Sequence, residues 1–157
     1  MDVIERDLIF LDVDVNNKNE LFGFMSRELL KKGYVCNTYE EKLMEREESY
    51  PTGLKLTTMG VAIPHANTEY SKANKFIVLN LKKQIEFKNM EDESNVNVCL
   101  VIGLVFNDKD KHMDNLMKLS LLLQNEEKLK EIKEAGTKDE EYKTLEKIGR
   151  AHVWTPV

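Results

Sequence analysis

Apolar and polar residues alternate in blocks along this chain, and the period of each block predicts an element. In DLIFLDVDV, branched apolar residues alternate with aspartates, the two-residue period of a strand. Asn16-Asn17 breaks it. The block NKNELFGFMSRELLKKG then sets Leu21, Phe22, Met25, Leu29 and Leu30 at helical spacing, with Gly33 as a C-terminal stop. NTYEEKLMEREESY predicts a second helix, capped by Asn37 or Thr38, with glutamates in the first turn where the helix dipole favours them. Pro51 and Gly53 mark a loop, and Thr57-Thr58 lead into a short strand ending at Pro64.

After the loop HANTEYSKANK, the segment FIVLNLKKQIEF starts as a strand and turns polar, so the strand is expected to end near Leu81. A charged loop, KNMEDESN, follows. Val96 to Phe106 is apolar at nearly every position, which predicts a central strand covered on both faces. In NDKDKHMDNLMKLSLLLQ, Leu116, Leu119 and Leu123, with Met113 and Leu122, make an apolar helical face. His112 falls at its first turn, with Asp108 or Asp110 as cap. NEEKLKEIKEAG and KDEEYKTLEKI predict two more short helices. The alternation implies an α/β fold: a small mixed β-sheet sandwiched between α-helices.

At 157 residues the chain is expected to form one domain, over residues 1–147. The tail IGRAHVWTPV, residues 148–157, departs from the Lys/Glu-rich chain before it and looks like a translated sequencing adapter, so it is set aside. The net charge of -5 argues against a duplex nucleic-acid partner, which calls for a basic excess. The sequence has no leader-like start and no membrane-length apolar run, so the expected location is cytoplasmic. Cys36 and Cys99 stand far apart in no CxxC pair and are expected to be free thiols.

Candidate chemistry centres on GVAIPHANTEY. The run Val61-Ala62-Ile63 is stopped by Pro64, and His65 sits at the stop. Walker, GxGxxG, HExxH and GxSxG motifs are absent, and His65 with His112 is too few ligands for a zinc site; no metal and no cofactor is expected. A neutral imidazole can attack phosphorus directly, and the transferred dianion then needs donors around it. Spacing alone leaves His65 as either such a nucleophile, open to solvent, or an ordinary loop residue. His112 is either a second donor or a solvated neighbour of a helix cap. Arg46 is either a cation for the dianion or a partner for a nearby glutamate.

The stretch YPTGLKLTTMGVAIPHANTEY, followed by DKDKHMDNLMKLSLLLQ, resembles the type-2 IIA domain of the bacterial sugar phosphotransferase system. This is the fructose/mannitol superfamily, and the YPTGL form is closest to its galactitol-type members. The likeness spans roughly Leu8 to Ala135. It implies that His65 is the phosphorylated histidine and that His112 bonds the phosphoryl group or the His65 ring. Arg46, Thr52 and Gly53 would shape the phosphate pocket. It further implies that the phosphoryl group comes from the phosphocarrier protein HPr and passes to a cysteine of a IIB component. The IIB component serves a membrane IIC component in uptake of a sugar or sugar alcohol. The alternative within the same resemblance is a regulatory IIA-like domain, nitrogen-type or cut from a transcriptional regulator, that signals by binding proteins.

Overall fold

The computed structural model describes residues 3–150, with side chains up to Lys147. The tail set aside above lies outside the described residues, except that the last helix continues through residues 148–150.

Five strands form one mixed sheet in the order β1-β4-β5-β3-β2. They are β1 (Ile4–Val13), β2 (Gly53–Lys55), β3 (Gly60–Ala62), β4 (Lys75–Lys88) and β5 (Asn95–Val105). β1 runs parallel to β4 and β3 parallel to β5, whereas β4/β5 and β2/β3 are antiparallel. On one face lie α1 (Lys18–Lys31) and α2 (Tyr39–Ser49); on the other lie α3 (Lys109–Leu123), α4 (Glu126–Glu134) and α5 (Lys138–Arg150). The expected sandwich is therefore the observed one.

β5 shows why. Val96, Val98, Val101 and Val105 enter the core shared with Phe22, Met25 and Leu43, while Leu100, Ile102 and Leu104 enter the core shared with Leu119, Leu129 and Ile132. A strand read from both sides must be apolar at almost every position. Burying each such side chain stabilises the fold by ~1.5–3 kcal/mol.

β4 does not end near Leu81. It continues to Lys88 through a register irregularity between Asn80 and Ile85. Lys82, Lys83 and Gln84 face solvent there, and Ile85 and Phe87 return to the first core. A bulge lets a strand absorb a polar run that looks like a terminus. Gly53 and Gly60 are strand residues, chosen for close backbone approach. A Cβ would lie 2.6 Å from the Lys88 carbonyl oxygen at Gly53 and 2.1 Å from that of Asn97 at Gly60.

α1 begins with the Asn17 side chain accepting from the Glu20 N–H at 2.9 Å. It ends in a Schellman turn: Gly33 has φ +74°, with Tyr34 N–H on the Leu29 carbonyl at 3.0 Å and Gly33 N–H on that of Leu30 at 2.9 Å. Leu30 is not part of its buried face; it is 48% exposed. Thr38 precedes α2 but makes no side-chain cap, its hydroxyl lying instead 3.1 Å from Cys36 Sγ. Asp108 caps α3, accepting from the N–H groups of Asp110 (2.8 Å) and Lys111 (3.1 Å). Met113 is not in the apolar seam of α3. With Met117 and Leu121 it forms an exposed stripe at four-residue spacing, while Leu119 and Leu122 are buried. Cys36 and Cys99 are free thiols. Among the described residues, no helix is long and apolar enough to cross a membrane.

Candidate active site

β3 delivers its chain to the carboxyl end of β5. Beyond Ala62, Ile63 N–H donates to the Thr52 carbonyl at 3.2 Å, and Leu104 N–H donates to the Pro64 carbonyl at 3.1 Å. His65 then forms a single bridge with Leu104. Pro64 ends the β3 pairing without stranding a donor, since it has none. The imidazole is thus held on a short, doubly anchored backbone, half-buried and not fully open to solvent.

His65 Nδ1 lies 2.9 Å from the Ile63 carbonyl oxygen. A carbonyl only accepts, so this contact requires the proton on Nδ1 and leaves the Nε2 lone pair free. His112, one turn inside α3 where its own N–H bonds the Asp108 carbonyl at 2.9 Å, holds its ring centre 4.8 Å from that of His65, the two planes tilted by 53°. The Phe106 ring sits 6.3 Å behind His112.

Arg46, in the last turn of α2, reaches the same place. Its Nη1 donates to Asn67 Oδ1 at 3.2 Å, and its guanidinium carbon lies 4.5 Å from the centre of the Tyr50 ring. Among the described residues no carboxylate pairs with it, and its buried Nε has no acceptor. The glutamate partnership open to it on sequence grounds is not made. Arg46, His65, Asn67, Glu69, Lys109 and His112 are among the residues lining one cleft of about 270 Å³.

Burial pushes the His65 imidazole down to about 4, and the nearby His112 and Arg46 charges add to this against the Ile63 hydrogen bond. His112 is lowered by burial and then by Arg46. Both rings are therefore neutral near pH 7, in a cleft that also holds the cations Arg46 and Lys109 and the Glu69 carboxylate. This pairing supplies a nucleophilic nitrogen and a place for negative charge.

Of the residues expected at the site, the structure brings together Arg46, His65 and His112. Thr52 and Gly53 do not line the cleft. Thr52 is 2% exposed and gives its hydroxyl to Glu47 Oε1 at 2.7 Å, while Gly53 packs against the Lys88–Asn89 backbone. Asn67 and Lys109 do not stand out in the sequence as site residues; their only signal is position, two residues after His65 and three before His112. The α3 N-terminus is not a free anion site either, because Asp108 occupies two of its N–H groups. Among the described residues, no cluster of three or more His, Cys, Asp or Glu could hold a metal ion.

The family model for the phosphoenolpyruvate-dependent sugar phosphotransferase system, EIIA 2, matches residues 2–148, and the chain belongs to that family. It is similar to the galactitol-specific EIIA component of Escherichia coli strain K12, at 29% identity over 97 residues. That alignment covers 62% of this chain and 65% of the relative, just under two thirds of its length. It is also similar to the mannitol-specific phosphotransferase enzyme IIA component of Staphylococcus aureus strain N315, 27% identical over 139 residues, covering 88% and 92% of the two chains.

Solved structures share the fold. One is the Escherichia coli complex of mannitol enzyme IIA with phosphorylated enzyme IIB (TM-score 0.75, 23% identity, covering 92% of this chain and 99% of that one). Another is the nitrogen regulatory protein IIA-Ntr of Neisseria meningitidis (TM-score 0.76, 22% identity, covering 91% and 96%).

Proposed function

We propose that the chain is a cytoplasmic phosphocarrier of the sugar phosphotransferase system, serving uptake of a sugar or sugar alcohol of the galactitol kind. His65 Nε2 attacks the phosphorus of phospho-HPr; the N–P bond to the donor imidazole breaks as the new one forms. A IIB cysteine thiolate then displaces the His65 nitrogen in the same in-line manner, and the IIB component phosphorylates the sugar at the membrane IIC component. Arg46 and Lys109 offset the charge on the equatorial oxygens, and His112 holds the group from the facing side.

The observation that carries this reading is the pair of neutral imidazoles 4.8 Å apart beside a guanidinium that, among the described residues, makes no ion pair. A protein donor and acceptor are supported by exposed apolar side chains on the two helices that carry His112 and Arg46: Met113 and Met117 on α3, and Tyr50 at the end of α2, beside Arg46. The similarity to the galactitol-specific relative favours transport over a purely regulatory role.

Incubation with enzyme I, HPr and phosphoenolpyruvate should place one acid-labile phosphate on His65, and His65→Ala should abolish it. Label on the alanine variant at the wild-type rate would refute the assignment. Label that reaches His65 but never a IIB cysteine would favour the regulatory alternative.

A further inference from the structure

The active-site reading uses Arg46 but leaves its neighbour Glu47 without a role. Glu47 is 4% exposed, yet both carboxylate oxygens are engaged by one residue. Oε2 accepts from the Thr52 N–H at 2.8 Å and Oε1 from the Thr52 hydroxyl at 2.7 Å. Burial raises its carboxyl above the ordinary range, while the Thr52 bonds and then Lys18 pull it back.

The contacts continue toward the imidazole. The carbonyl of Thr52 accepts from Ile63 N–H at 3.2 Å, and the carbonyl of Ile63 meets His65 Nδ1 at 2.9 Å. We propose that Glu47 is a positioning residue for His65, acting through Thr52 and the Ile63 peptide to fix which ring nitrogen faces the cleft. The proposal rests on the reading of His65 as the phosphoryl acceptor.

Three features support it. A carboxylate is the side chain able to accept from two donors of one residue with one oxygen each; glutamine has a single acceptor oxygen. One Thr52 donor is the N–H of the Pro51–Thr52 peptide and the other is the side-chain hydroxyl, so the grip fixes that peptide plane and the side-chain rotamer of the residue whose carbonyl meets Ile63. Finally, Arg46 and Glu47 are consecutive in α2. One helix turn therefore sends a cation to the cleft and a clamp to the strand behind the nucleophile, which couples their spacing. A nucleophile displaced by about 1 Å can lose ~10²-fold in rate.

The test combines ring ¹⁵N NMR of His65 with the initial rate of phosphoryl acceptance from phospho-HPr, in full-length wild type, Glu47→Gln, Glu47→Ala and Thr52→Val. Wild type should show the Nδ1–H tautomer alone. Glu47→Ala should mix the two tautomers and slow acceptance by ~10²-fold; Glu47→Gln and Thr52→Val, each keeping part of the grip, should fall between.

If Glu47→Ala fails to fold, the two milder variants carry the test. Wild-type tautomer and rate in both of them would overturn the proposal, and so would a lowered melting temperature with unchanged His65 signals. If wild type accepts no phosphate while the His65 tautomer still answers to Glu47, the positioning role stands and the carrier reading falls.

Discussion

Two glutamates are buried among the described residues, and they differ in what meets their oxygens. Glu47, behind the active site, has a donor on each oxygen. Glu141, in the first turn of α5, is 0% exposed and meets the Asn80 amide with Oε1 alone; its Oε2 and the Asn80 carbonyl oxygen have no partner. Burial pushes the Glu141 carboxyl up to about 8, opposed only by Lys133, whose Nζ donates to the Leu81 carbonyl at 2.9 Å. Similar burial thus yields different acids. The desolvation cost is common to both, and the donor count decides how far it is offset.

At neutral pH Glu141 is therefore mostly a neutral latch between α5 and β4, while the Glu47 region is a held framework for chemistry. Asn80 completes that latch by donating also to the Ile132 carbonyl at 3.0 Å, which ties in α4.

The comparison can be broken at either end. The largest expected effect is a double dissociation: His65→Ala loses all label, while Glu141→Gln accepts phosphate like wild type. Loss of acceptance in both would make the latch part of the site.

Next comes stability. The folded Glu141 keeps its proton up to about pH 8, whereas the unfolded chain releases it near the ordinary 4.5. Its contribution is full below pH 4.5 and is lost as the pH rises to about 8. The decline between those limits is ~1.4 kcal/mol for each step of one in pH. Urea unfolding across this range should show that decline in the difference between wild type and Glu141→Gln, because His65, held down to about 4, tilts both curves upward below its ordinary 6.5. An unchanged slope would show that the carboxyl is already ionised.

Third, Arg46→Gln should slow acceptance by ~10²-fold by removing the cleft's inner cation, with little change in unfolding midpoint. A large stability loss with normal rate would make Arg46 structural like the latch. Smallest, Tyr50→Ala should change the rate by only ~2–5-fold, the worth of an exposed cation–π contact, in the same assay.

Much of this is legible in the sequence. The two-sided apolar run of β5 announces a central strand, and GVAIPH announces a strand ending on a histidine. What stays hidden depends on contacts between distant segments. The polar run Lys82-Lys83-Gln84 looks like a strand end until the bulge is seen. Leu30 and Met113 fit the helical period but fall at the margin of the buried face, where packing decides. Thr52 carries the family motif, yet its hydroxyl direction is set by Glu47, five residues earlier on a helix whose glutamates all look alike in sequence. Lys109 becomes a site residue only because α3 starts beside the β3 exit.

The Ile63 carbonyl has a consequence beyond choosing a tautomer. On the carrier reading, a ring that keeps its Nδ1 proton after phosphorylation is cationic, and when the N–P bond breaks it departs as neutral imidazole, a good leaving group. The same peptide oxygen that makes the nitrogen attack also keeps the resulting phosphoramidate reactive, so cargo loaded here stays ready to be handed on.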